Sequence, residues 1–252
     1  MDITLAHAFL LLATGLVAGV INTLAGGGSN LTLPALMVMG MPADIANATN
    51  RVGVVLQTLV AARGFKKHDK LPVDDIGPVL LPTLVGGAVG AVAASFAPEG
   101  ILKPLLLGAM VTMTVVMLVK PTLVSPPAGT APFKVKDRPA AWWWLLVAGF
   151  YGGFVQAGVG FILIAALAGT LRYDLVRTNA LKVVCTLAFT VIALVVFIVR
   201  DQVLWLPGLV LACGTMAGAQ IAVKFAIRAK AETLKWFLFI MTICGSAAAL
   251  LF

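Results

Sequence analysis

Residues 21–34 read INTLAGGGSNLTLP. Three consecutive glycines, Gly26, Gly27 and Gly28, are followed by Ser29 and Asn30 inside one of the most apolar parts of the chain. Inside a helix each glycine costs about 1 kcal/mol relative to alanine, so the run predicts a helix that stops here. Pro34 favours a fresh helical start just beyond the stop. The question is why a segment this apolar carries a break at all.

The composition supplies the context. Of 252 residues, 61% are hydrophobic and only 11% charged, with a mean hydropathy of +1.04, against about 45–50% apolar and 25% charged in soluble domains. Apolar runs recur from residues 5–25 to 234–252, most of them near the ~20 residues that span a bilayer. An all-α polytopic membrane protein is predicted. The first ten residues, MDITLAHAFL, hold no Lys or Arg, so the first segment lacks a signal peptide's basic region and is expected to be retained. The net charge of +8 sits in short loops between spans, where retention of basic loops in the cytoplasm accounts for it; nucleic acid is not an expected partner. Cys185, Cys213 and Cys244 lie in apolar segments without paired spacing, so neither a disulfide framework nor a metal site is indicated, and no cofactor is expected.

Sliding the chain against itself by about 130 positions exposes a repeat. LVAGV at 16–20 meets LVAGF at 146–150, ATN at 48–50 meets RTN at 177–179, and GILKPLL at 100–106 resembles ETLKWFL at 232–238. Residues 120–138, rich in Pro, Gly, Ser and charge, read as a linker outside the membrane. The reading is therefore a first transmembrane repeat over 1–120, a linker over 121–139 and a second repeat over 140–252. Each repeat divides into a broken segment (5–40 and 142–170) followed by three spans, at 43–63, 73–97 and 101–119, then at 174–199, 203–224 and 232–252. The second broken segment is too short for two crossings, which need about 40 residues, so a hairpin that enters and leaves on one side fits better; full short spans stay open. Re-entrant hairpins give each half an odd number of crossings and hence opposite orientations. With the linker inside, all Lys and Arg except Arg51, Lys103 and Arg200 become cytoplasmic, as the positive-inside rule requires.

Inverted repeats with broken helices place a site where the breaks meet. Unwound backbone at membrane depth must be buried in protein or line a cavity, and freed amides at a glycine-rich turn attract anions. The first break offers Asn22, Gly26, Gly27, Gly28, Ser29 and Asn30, and its counterpart GGFVQAGVGF offers Gln156, Gly158 and Gly160. Gly86, Gly90, Gly152 and Gly153 are read instead as helix-packing positions. The next helix of each half adds Thr49, Asn50 and Arg51, then Thr178, Asn179 and Lys182, with Gln57 further in. Asp44 and Asp174 stand where N-caps are expected. Arg51 and Lys182 lie about 10–12 Å into their helices at the helical rise; they either snorkel to the headgroups or flank a central cavity, and the second reading points to an anionic substrate. His7 and His68 read as interfacial, and Trp142, Trp143 and Trp144 as an interface anchor.

The stretch AGVINTLAGGGSNLTLPALMVMGMPADIANATN, with its echo AGFYGGFVQAGVGFILIAAL and RTN in the second half, resembles the sulfite exporter TauE/SafE family over nearly the whole chain. The resemblance implies movement of sulfite, sulfoacetate or related small sulfur-containing anions across the bacterial inner membrane. The second half lacks the triple glycine and carries Lys182 where the first has Gly53. A secondary transporter, an exporter, is thus expected, with a small inorganic or organosulfur anion and the lipid bilayer as partners. A coupling proton or other ion and a homodimer are both open. Alternatives are a passive anion channel and an intramembrane serine hydrolase built on Ser29, which lacks a histidine base in the second half. The chain is therefore expected not to be an enzyme.

Overall fold

The computed structural model describes residues 4–98, 100–102, 104, 105, 108, 112, 131–229 and 233. Regular structure among them is helical throughout. The helices are α1 (Leu5–Leu24), α2 (Ser29–Val38), α3 (Ala43–Lys67), α4 (Ile76–Ser95), α5 (Pro139–Phe154), α6 (Val159–Ile164), α7 (Leu175–Val199) and α8 (Trp205–Arg228). Short 3-10 turns, Val73–Asp75 and Val135–Asp137, lead into α4 and α5, and α6 widens into a π-helical turn over Ala165–Thr170. Four described segments, Leu5–Leu24, Val73–Ser95, Leu175–Val199 and Trp205–Arg228, are long and apolar enough to cross a membrane. The protein is a multi-pass membrane protein. The spans expected at 101–119 and 232–252 lie largely outside the described residues, as does the linker up to residue 130.

Caps and breaks follow local chemistry. The Asp174 carboxylate accepts from the amides of Val176 and Arg177, both at 3.0 Å, and so caps α7. Asp44 does not do the same for α3: Pro42 holds the cap position, and Asp44, in the first turn, accepts from Gln202 Nε2 at 3.4 Å. Although α3 is as long as α7, its sequence is more polar, and it buries Asn47, Thr49, Asn50, Arg51, Gln57 and Thr58. Those residues point into the protein, which is where a bilayer tolerates them.

Both broken segments are hairpins. α2 folds back along α1, so that Leu36, Met39 and Met41 pack with Leu11 near the start of α1. Its 10 residues reach about 15 Å, half a bilayer. α6 likewise folds back along α5: Leu163, Ala166, Leu167 and Leu171 pack with Ala141, Leu145 and Ala148. The Phe133 amide donates to the Leu171 carbonyl at 2.9 Å, tying the hairpin's exit to its entrance.

Glycine contacts fix the direction of each helix. On α1, Gly15 and Gly19 meet Gly214 and Gly218 of α8, and a Cβ on Gly218 would lie 2.1 Å from the Leu16 carbonyl oxygen. On α4, Gly86 and Gly90 meet α5, where a Cβ on Gly90 would lie 2.1 Å from the Phe150 carbonyl oxygen. Gly153 packs on Gly87 in the same seam. Residue numbers rise together across both seams, so α1 runs with α8 and α4 with α5. Gly53 and Gly64 of α3 meet Leu211 and Val223, aligning α3 with α8. Ala91 and Ala94 meet Ala193 and Phe197, aligning α4 with α7. Finally, α3 and α7 are antiparallel: Ala48 lies by Ala193, whereas Ala61 and Phe65 lie by Ala180 and Leu175. It follows that α1, α3 and α8 run one way and α5, α7 and α4 the other. The two hairpins enter from opposite sides.

Candidate functional site at the hairpin tips

The first tip begins where α1 runs out of helical partners. The amides of Ala25 and Gly26 both donate to the Ile21 carbonyl, at 2.7 and 3.0 Å, and Gly26 then turns at φ 94°. The amides of Gly27, Gly28 and Ser29 make no backbone hydrogen bond; they form the open N-terminal end of α2. The second tip repeats the pattern. Val155 and Gln156 amides both donate to the Tyr151 carbonyl, at 2.8 and 3.2 Å, Gln156 and Gly158 adopt φ 69° and 74°, and the Gly158 amide makes no backbone bond. A positive φ is free for glycine and strained for glutamine. The tips touch: the Gly160 amide donates to the Gly26 carbonyl at 3.3 Å, and a Cβ on either residue would come within 2.2 Å of the other's Cα.

Arg51 and Lys182 do not face each other across an open cavity, as the sequence led us to expect. Each is buried and reaches the carbonyl end of the other half's broken helix. Lys182 Nζ donates to the carbonyls of Asn22 and Thr23 at 3.1 and 3.0 Å and to Asn179 Oδ1 at 2.9 Å, which uses all three ammonium protons. Arg51 donates to the carbonyls of Gly152 and Gly153 at 2.6 and 2.8 Å, to Asn47 Oδ1 at 3.3 Å and to Gln156 Oε1. Its guanidinium also lies 5.5 Å from the Phe197 ring centre. The physical cause is the same in both halves. A broken helix leaves its last carbonyls without donors, and their summed dipole is negative, so a cation is stabilised there despite burial.

The remaining candidates separate into two groups. Asn50 Nδ2 donates to Ser29 Oγ at 3.0 Å while Asn50 Oδ1 accepts from Thr32 Oγ1 at 2.7 Å, fastening α3 to the start of α2. Asn22 Nδ2 donates to Gln57 Oε1 and Gln57 Nε2 to Thr23 Oγ1, both at 3.3 Å. These residues, with Gly26, Gly27, Gly28, Ser29, Asn30, Gln156 and Gly158, cluster at the tips. Thr49 and Thr178 do not: Thr49 Oγ1 accepts from the Leu204 amide at 3.0 Å, and Thr178 Oγ1 donates to the Tyr173 carbonyl at 3.2 Å, both at helix starts. Ser29 Oγ has no histidine beside it; His68 is exposed and bonded to the Gly64 carbonyl.

Several buried polar atoms at the tips have no partner: Asn30 Oδ1, Arg51 Nε, Gln156 Nε2 and Asn179 Nδ2. Buried polar groups are nearly always paired, so Arg51 Nε, Gln156 Nε2 and Asn179 Nδ2 have N–H groups free to donate to a water or a ligand. Sequence reasoning missed Asn47 and Thr190. Thr190 Oγ1 donates to Gln156 Oε1 at 3.3 Å, and mid-helix threonines carry no signal that separates such a role from ordinary back-bonding. Gly160, expected in the second tip, is the residue that meets Gly26.

The family model "Sulfite exporter TauE/SafE" matches residues 11–249 of the chain. A "Probable membrane transporter protein" of Haemophilus influenzae is 28% identical over 241 residues, covering 93% of this chain and 90% of the relative. "Probable membrane transporter protein ORF9" of a Sinorhizobium species is 26% identical over 94% of this chain and 89% of its own length. "Probable membrane transporter protein YfcA" of Escherichia coli K12 is 25% identical, covering 96% and 88% respectively.

Proposed function

Because the chain belongs to the sulfite exporter TauE/SafE family, we propose that it is a secondary transporter that exports small sulfur-containing anions such as sulfite or sulfoacetate. The observation that carries this reading is the contact of two hairpin tips, which carry the unpaired amides of Gly27, Gly28, Ser29 and Gly158, at the centre of the fold. Amides at a helix start hold anions without any charged side chain of their own. In this reading the halves over 1–120 and 140–252 are inverted repeats, the segment over 121–139 is a cytoplasmic linker, and the protein resides in the bacterial inner membrane. Alternating access then follows from rocking one hairpin and its supporting helices against the other. The tight Gly26–Gly160 contact is what an occluded state has and an open pore lacks. Thr49 and Thr178 drop out of the anion site, and Arg51 and Lys182 stay beside it, bonded to the carbonyls of the broken helices.

The test is flux of sulfite, sulfoacetate and thiosulfate in proteoliposomes, with and without an imposed pH gradient. At least one of the three moves in a saturable manner, and the gradient either accelerates it, assigning a proton as coupling ion, or leaves it unchanged. Movement of none of them removes the proposal.

A further inference from the structure

The two cations leave a matching remainder. Lys182 Nζ holds Asn179 through Oδ1, and Arg51 holds Gln156 through Oε1. An ammonium or guanidinium can only donate, so chemistry fixes which arm of each amide faces it. The opposite arms, Asn179 Nδ2 and Gln156 Nε2, are the atoms without partners, on side chains that are each 1% exposed. A cation on an amide's oxygen polarises the group and strengthens donation from its nitrogen.

The charges also lack counter-ions. Among the described residues the one ion pair is Arg177 with Asp174, at the surface; Arg51 and Lys182 are bonded to neutral oxygens alone. Among the described residues these two buried basic groups therefore have no counter-ion, each presenting an unused N–H through an amide. The first half explains why Asn179 is left open. There Asn50 has Ser29 and Thr32 as partners, but the residues 130 positions later are Val159 and Ile162, which offer Asn179 nothing.

We infer that the protein holds two anion stations, one in each half, at the amide nitrogens of Gln156 and Asn179, with the charge delivered through these amides from Arg51 and Lys182. Gln156 is bonded to Thr190, and between Asn179 and Thr190 the axis of α7 rises about 16 Å, too far for one small anion to bridge. The Gly26–Gly160 contact belongs to the barrier between them, so an anion steps from one station to the other as the tips part. The Gln156 station also has Arg51 Nε unpaired, giving it two free donors against one, and it is the tighter of the two. The ligand class is a small oxyanion whose oxygens accept from N–H. This inference rests on the anion-transport reading and adds the number of stations and the residues that form them.

The experiment is equilibrium binding of radiolabelled sulfite to the protein in nanodiscs, alongside flux in proteoliposomes. Wild type binds two anions per chain. Gln156→Glu and Asn179→Asp keep the oxygen that meets the cation and replace only the free N–H by a carboxylate oxygen. Gln156→Glu loses the tighter event and Asn179→Asp the weaker, each by about tenfold or more in affinity, while the melting temperature holds or rises. A merely structural role predicts wild-type binding with the same rise or hold in stability, so the loss of binding decides. Gln156→Met and Asn179→Leu, which remove both arms, lose the same events. Wild-type flux with a single binding event, or binding untouched in the carboxylate variants, overturns the two-station inference alone. Absence of both flux and binding overturns it together with the transport reading.

Discussion

At the residue scale, the decisive finding is what Arg51 and Lys182 touch. Depth in an apolar helix identified both from the sequence, but their partners lie 101 and 160 residues away, and no local pattern announces such a contact. The sequence reading had them either snorkel to the headgroups or flank an anion cavity; their bonds place both at the carbonyl ends of broken helices. Lys182→Met leaves the Asn22 and Thr23 carbonyls without a donor, at a cost on the order of 2–4 kcal/mol for two buried acceptors. A lowered melting temperature and lost flux are expected. Lys182→Arg, which can still donate to both carbonyls, recovers most of the stability; thermal unfolding of the purified variants checks this. Equal stability of Lys182→Met and wild type would remove the capping role. The tip contact gives a second expectation. Gly160→Ala puts a methyl 2.2 Å from the Gly26 Cα, so the tips must separate. Saturable exchange of sulfite falls by at least an order of magnitude while binding of sulfite survives, because the substitution removes no N–H donor; paired exchange and binding assays decide it.

At the element scale, the first break was legible because three adjacent glycines do not have the spacing of a helix-packing face. The second was fainter, since its turn is made by Gln156 and Gly158 and glutamine at positive φ is not something composition reveals. Segment length pointed to re-entry, and the packing of Leu36 on Leu11 and of Leu171 with Ala141 supplies the geometry. The capping of α3 by Pro42 in place of Asp44 went unread, because an acidic residue in the first turn and one at the cap look alike in sequence. Gly86 and Gly90 were read as packing positions, and both approach the α5 backbone. Small-residue seams let membrane helices come close enough for dispersion contacts. Gly90→Leu on α4 and Gly218→Leu on α8 each drive a side chain into a facing carbonyl, with overpacking costs of about 1–3 kcal/mol or more. Reduced yield of folded protein is expected from either, measured by monodisperse recovery in detergent. Gly100→Leu, with open space around it, behaves as wild type in the same assay.

At the scale of the whole molecule, the all-helical, membrane-embedded class followed from composition alone, and family membership followed from the glycine motif. The pairing of α1 with α8 and of α4 with α5 did not, because nothing in an apolar helix names its neighbour until glycine seams are seen to face each other. The opposite directions of α1 and α5 bring the two hairpins in from opposite sides, and the proposed alternating access takes that geometry as its premise. Counterflow tests that premise most directly. Proteoliposomes preloaded with unlabelled sulfite and diluted into a trace of labelled sulfite accumulate label transiently above its equilibrium level if a carrier exchanges one anion for another. The account predicts that overshoot, saturating with internal sulfite and absent in Gly160→Ala. A monotonic, non-saturating approach to equilibrium contradicts it and makes the protein a pore.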